Sequence, residues 1–120
     1  LSKKMMIITG LVVLLILGGG SFIAVSAYGA PWVAKDAETA LNKQFAEKGI
    51  DEEQIQSKEH SYSAKFGKHS IYVRFKEESN LRYEYLYRKD EKRMILTEIL
   101  DTKDNNNPVS EGKTDSIYNN

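Results

Sequence analysis

The stretch from His69 to Leu100 reads HSIYVRFKEESNLRYEYLYRKDEKRMILTEIL. Branched and aromatic residues recur at every second position in three blocks, and the polar segments KEESN and KDEK between them carry turn chemistry. Alternation of this kind predicts half-buried strands, here His69 to Glu77, Leu81 to Arg88 and Arg93 to Leu100. A fourth strand, Gln56 to Phe66, precedes them and ends at Gly67. Connections this short join antiparallel neighbours, so the four strands form a meander.

The register follows from matching apolar faces, because a slip by one residue turns every side chain over. A turn at Gly67 and Lys68 pairs Ala64 with Ile71 and Tyr62 with Val73, which sets His60 opposite Phe75. A loop of Glu78, Ser79 and Asn80 pairs Phe75 with Tyr83, Val73 with Tyr85 and Ile71 with Tyr87. A turn at Asp90 and Glu91 pairs Tyr87 with Met94 and Tyr85 with Leu96. That last pairing leaves Ile95, Thr97 and Ile99 on the far face with Tyr72 and Leu86. Two readings answer the conflict: a shifted last strand, or an apolar patch on the far face that meets a partner, a second copy or the bilayer. Tyr72, Leu86, Ile95 and Ile99 are therefore the candidate binding surface.

Upstream, PWVAKDAETALNKQFAEKG, from Pro31 to Gly49, places Val33, Ala37, Leu41 and Phe45 at steps of four with Ala34 and Ala40 beside them. This is an amphipathic helix with Pro31 in its first turn and Gly49 placed to end it. One helix lying on a four-stranded antiparallel sheet is an α+β two-layer design, the arrangement of cystatin-like and PepSY-like folds. From Asp101 the sequence DTKDNNNPVSEGKTDSIYNN is polar and without period, and is expected to be disordered.

No charged residue occurs between Met5 and Ala34. As a helix, Met5 to Tyr28 is about 36 Å long at 1.5 Å per residue, enough to cross a bilayer. Lys3 and Lys4 precede the run and mixed charges follow it, so the positive-inside bias puts the N-terminus in the cytoplasm and the rest outside. Val25, Ser26 and Ala27 resemble a signal-peptidase site, with cleavage after Ala27 giving a secreted product. The apolar character continues too far for an ordinary signal core, which favours a retained signal anchor. Tyr28 and Trp32 then fall at the outer headgroup level, as membrane-interface residues. The expected organisation is a cytoplasmic segment 1–4, a transmembrane anchor 5–28, an extracytoplasmic domain 29–100 and a tail 101–120.

Lys plus Arg and Asp plus Glu both number 17 in 120 residues. Without Lys3 and Lys4 the remainder carries a small acidic excess, so neither nucleic acid nor anionic lipid is an expected partner on net charge. The absence of cysteine excludes disulfides, thiolate metal sites and cysteine nucleophiles. His60 and His69 are the only histidines and do not converge with other ligands, so no metal or other cofactor is expected. Glu77 and Glu78 sit at a turn and the serines lack a nucleophile elbow, so no catalytic site and no enzymatic activity are expected. The tyrosine row, Tyr83, Tyr85 and Tyr87 with Tyr62 and Tyr72, reads first as sheet core and second as a peptide-binding surface.

The Lys-rich start, the apolar helix, Pro31-Trp32, Lys48-Gly49-Ile50, Phe66-Gly67, Tyr72-Val73-Arg74-Phe75-Lys76 and the alternating tyrosines together resemble an uncharacterised family. It comprises small membrane-anchored proteins of low-GC Gram-positive bacteria, known as domain of unknown function 3139. The resemblance covers about residues 3–100 and implies an outward-facing domain on a bacterial plasma membrane. The expected function is an envelope interaction module that binds an unidentified protein or peptide, with a protease inhibitor or regulator as the alternative.

Overall fold

The computed structural model describes residues 2–120. Of the expected cytoplasmic segment, residue 1 lies outside the described residues. The chain builds α1 (Lys3–Tyr28), α2 (Pro31–Glu47) and five strands, β1 (Ile55–Ser63), β2 (Lys68–Phe75), β3 (Leu81–Arg88), β4 (Arg93–Asp101) and β5 (Asn107–Val109). The strands form one antiparallel sheet in sequence order. The fold class is α+β, with one long apolar helix ahead of the sheet.

Helix α1 has 26 residues, about 39 Å at 1.5 Å per residue, and none of them is buried. It projects from the folded body, and the molecule is 68 Å along its longest axis against 31 and 26 Å across. Gly29 then breaks the helix with a left-handed φ of +79°, and Pro31 starts α2. A Cβ at Gly29 would lie 2.5 Å from His69 Cε1 and 2.6 Å from Tyr62 Cδ1. Only glycine lets the chain turn this closely against those two rings.

Helix α2 buries Ala37, Leu41 and Phe45, the stripe expected from spacing, against β2 and β4. Its end is a Schellman arrangement: the Ile50 amide donates to the Phe45 carbonyl at 2.8 Å, Gly49 takes φ +73°, and Ile50 packs into the core. Phe45 meets the Tyr85 ring edge-on at 5.4 Å, and Phe75 meets Tyr83 edge-on at 4.9 Å. Tyr83, Tyr85 and Tyr87 are thus core, while Tyr62 and Tyr72 are half-buried outside it.

Two registers differ from expectation by even shifts, which leave every side chain on its expected face. Ile71 pairs with His60 and not Ala64, because the first hairpin turns through Ala64 to Gly67, with Gly67 left-handed at its end. Val73 pairs with Tyr83 and not Tyr85, because a 3-10 turn at Lys76–Glu78 lengthens the second connection. The third hairpin pairs Tyr87 with Met94 and Tyr85 with Leu96 as expected. A bulge between Glu84 and Tyr85 then sets Glu84 opposite Glu98 and Tyr83 opposite Ile99. The extra residue turns Ile99 inward, where it is 0% exposed, and the far-face conflict is resolved by the shifted strand.

The four-strand count and the disordered tail are both corrected. Asn107–Val109 adds β5 to Ile99–Asp101, after a loop in which Asn105 and Asn106 take left-handed φ of +50° and +57°. Short polar side chains make that conformation cheap. Val109 and Ile117 pack on the existing core, and Glu111 bridges Ser116. A mostly polar tail of twenty residues needs no core of its own when it completes one already present.

The tail and α2 also close the β4 edge. Beyond β5, the Asn120 side chain donates to the Leu96 carbonyl and accepts from the Leu96 amide, both at 2.8 Å. The Gln44 amide does the same at Met94, at 2.9 and 2.7 Å. Side-chain amides thus stand in for a neighbouring strand, and β1 is left as the sheet's open edge.

Candidate interaction surface

The outer face of the sheet, away from α2, carries Tyr72, Leu86 and Ile95, each half-buried. Leu86 and Ile95 are direct cross-strand partners. Ile99, expected beside them, belongs to the core. The remaining patch is narrower and has a charged border that the sequence reading did not find. Arg82 lies 4.7 Å over the Tyr72 ring, and Glu84 faces Glu98 across β3 and β4. Partial burial, then the neighbouring Glu98, hold the Glu84 carboxyl above the ordinary carboxylate range, with Arg82 acting in the opposite sense.

Tyr28 and Trp32, the expected membrane-interface pair, are 80% and 64% exposed. With Ser21, Ala24, Val25 and Pro31 they line an apolar groove of about 340 Å³ at the kink between α1 and α2. His69 sits above this junction. Its ring lies tilted 4.7 Å from Tyr62 and edge-on 5.7 Å from His60, so the first-hairpin shift brings together two histidines expected to lie apart. Burial, then His60, push the His69 pKa down, and its Nδ1 has no partner among the described residues.

The strongest polar constellation lies inside the body, where the tail is fastened by two buried carboxylates. Asp115 accepts from the Tyr85 hydroxyl at 2.7 Å, Lys48 Nζ at 3.0 Å, the Ser116 amide at 2.8 Å and Asn119 Nδ2 at 3.3 Å. Glu78 accepts from the Tyr83 hydroxyl at 2.6 Å, the Thr114 hydroxyl at 3.1 Å and the Lys113 amide. Burial, then the adjacent carboxylate, raise both phenols well above their ordinary value. A Cβ at Gly112 would overlap the Tyr83 hydroxyl, so the strap lies directly on that ring. Neither carboxylate has a signal in the sequence, since Asp115 is joined to Tyr85 and Lys48, and Glu78 to Lys113 and Thr114, only by the fold.

These features define an α+β domain carried on a single apolar helix, held by internal ion pairs and hydrogen bonds. The family described as Protein of unknown function (DUF3139) matches residues 2–85, and the chain belongs to it. No curated protein and no solved structure matches the chain. The strap that carries Asp115 lies beyond the matched residues.

Proposed function

We propose that this protein is a membrane-anchored, extracytoplasmic interaction module that acts by binding and without turnover. The observation that carries the reading is α1, free of charge from Met5 to its end and bare on every side, with a folded domain seated directly on it. A helix hydrophobic all round belongs in lipid. Lys3 and Lys4 at its start support an N-in orientation in the plasma membrane. Retention over cleavage is supported by Val25, Ser26 and Ala27 lying within the helix rather than in an extended segment.

The surface that fits a protein or peptide partner is the outer sheet face around Tyr72, Leu86 and Ile95, bordered by Arg82, Glu84 and Glu98 and continuous with the open β1 edge. An apolar centre with a charged rim is the usual anatomy of a binding patch. The buried carboxylates support a non-catalytic role, because their acceptors are taken up in holding the tail. A photo-crosslinking residue placed at Leu86 or Ile95 in the membrane-bound protein tests this. One adduct of defined mass is expected from both positions and none from a control at Lys43 on α2. Equal labelling at all three positions, or none, contradicts the assignment, and an envelope protease as the adduct would move the reading to inhibition.

A further inference from the structure

The nearly neutral composition conceals an uneven distribution along the molecule. The two hairpin tips at the end where α1 joins the sheet are basic. The first, Ala64–Gly67 with Lys68 after it, holds Lys65 and Lys68 and no acid; the second, from Arg88 to Arg93, sets four cations against Asp90 and Glu91, which pair with the two arginines and leave Lys89 outside those pairs. None of these three lysines forms an ion pair among the described residues. At the opposite end, Asp51 to Glu53 before β1 are three acids with no base, the connection after β2 sets Glu77 and Glu78 against Lys76, and the loop after β4 balances Lys103 with Asp104.

Between Lys65 and Lys68 stands Phe66, 67% exposed at a loop tip, with Lys65 Nζ 5.4 Å from its ring centre. A bare aromatic there contributes nothing to the core. Its place is tied to the end of α1 through a short chain of contacts. A Cβ at Gly67 would lie 4.0 Å from the Tyr62 hydroxyl, and Tyr62 packs on Gly29, the residue that ends the helix. A cleft of about 230 Å³ lined by Val33, Phe66, His69, Leu86 and Lys89 joins this hairpin to the first turn of α2 and to the β3 end.

We infer that the β1–β2 hairpin tip is a second membrane contact, in which Phe66 enters the interface and Lys65, Lys68 and Lys89 face anionic lipid headgroups. The occupant is the bilayer that holds α1, so the inference rests on α1 being a membrane helix. Aromatic residues flanked by lysine are suited to that boundary, and each cation near an anionic surface adds attraction that salt screens. With α1 and the hairpin both engaged, the domain cannot swing freely about Gly29, and the outer sheet face is held at a fixed attitude to the membrane.

Trp32 is the sole tryptophan, which permits a clean test in the full chain. The unaltered protein reports on Trp32, and a Trp32→Phe, Phe66→Trp variant reports on the hairpin. Both are reconstituted in phosphatidylcholine vesicles with and without phosphatidylglycerol, using brominated acyl chains as quenchers. Emission from position 66 is expected to shift to the blue and to be quenched severalfold in the phosphatidylglycerol vesicles. High salt, or Lys65→Ser with Lys68→Ser, is expected to reverse it. Quenching of Trp32 without quenching at position 66 overturns the second contact and leaves the anchor standing. Loss of both signals, with the protein failing to float with vesicles, overturns the anchor reading as well. Equal quenching with and without phosphatidylglycerol contradicts the role given to the lysines.

Discussion

Asp115→Ala removes the acceptor at the centre of the strap. The side chain is 0% exposed and holds Lys48, whose own side chain is 25% exposed, together with the Tyr85 hydroxyl. Without it, the phenol of Tyr85, a residue only 2% exposed, is a buried donor with no partner, which costs about 1–3 kcal/mol. Breaking a fully buried ion pair costs about 3–5 kcal/mol. Lys48 is part-exposed and can turn toward water, so losing its partner costs less than that range, about 1 kcal/mol. The sum falls at roughly 3 kcal/mol, a large share of a domain stability of about 5–15 kcal/mol. For a domain of this size that corresponds to a fall in Tm of roughly 10–20 °C.

Thermal unfolding of the full chain in detergent, followed by circular dichroism, gives the shift. Hydrogen exchange across 110–120 shows whether the strap is released. Tyr85→Phe should cost less, about 1 kcal/mol, because Asp115 keeps its three other donors. The double variant should cost less than the sum of the two, as expected for groups in contact. An unchanged Tm in Asp115→Ala, with exchange of the strap also unchanged, would refute the claim that this carboxylate fastens the tail.

Gly29→Ala should destabilise the junction by about 2 kcal/mol or more, from the left-handed φ and the collision with His69 and Tyr62; faster exchange near His69 is the readout. Because the folded-state pKa of His69 lies below its ordinary 6.5, the stability linked to it is complete above that value and is lost as pH falls through the depressed one. Urea midpoints between neutral and mildly acidic pH should therefore fall more in the wild type than in His69→Gln. Glu84 has a raised pKa, so its contribution is favourable below the ordinary carboxylate range and is lost as pH rises through the raised value. Glu84→Gln should then stabilise by roughly 0.2–1 kcal/mol at neutral pH and leave acid stability unchanged.

Period-two alternation of Ile71, Val73 and Phe75 with Tyr83, Tyr85 and Tyr87 was enough to give the sheet and its buried face. Even register shifts do not disturb faces, which is why two displaced hairpins still produced the expected core. The bulge opposite Tyr85 was only indirectly legible: the misplaced Ile99 signalled a fault in the last strand without locating it. The tail escaped because local composition carries no information about docking. Asp115 is one aspartate among many until the fold brings Tyr85 and Lys48 to it. Asn105 to Asn107, read as a mark of disorder, was in fact turn chemistry for one more hairpin. That Tyr72, Leu86 and Ile95 share the outer face follows from the alternation alone. The charged residues around them were not legible, because Arg82 over Tyr72 and Glu84 against Glu98 depend on the register.

The most direct measurement is alkaline carbonate extraction of cell membranes followed by N-terminal sequencing of the retained protein. The protein is expected to stay with the membrane pellet, with its first residues ahead of Met5. Protein released to the supernatant, or a mature chain beginning at Tyr28, would contradict this expectation.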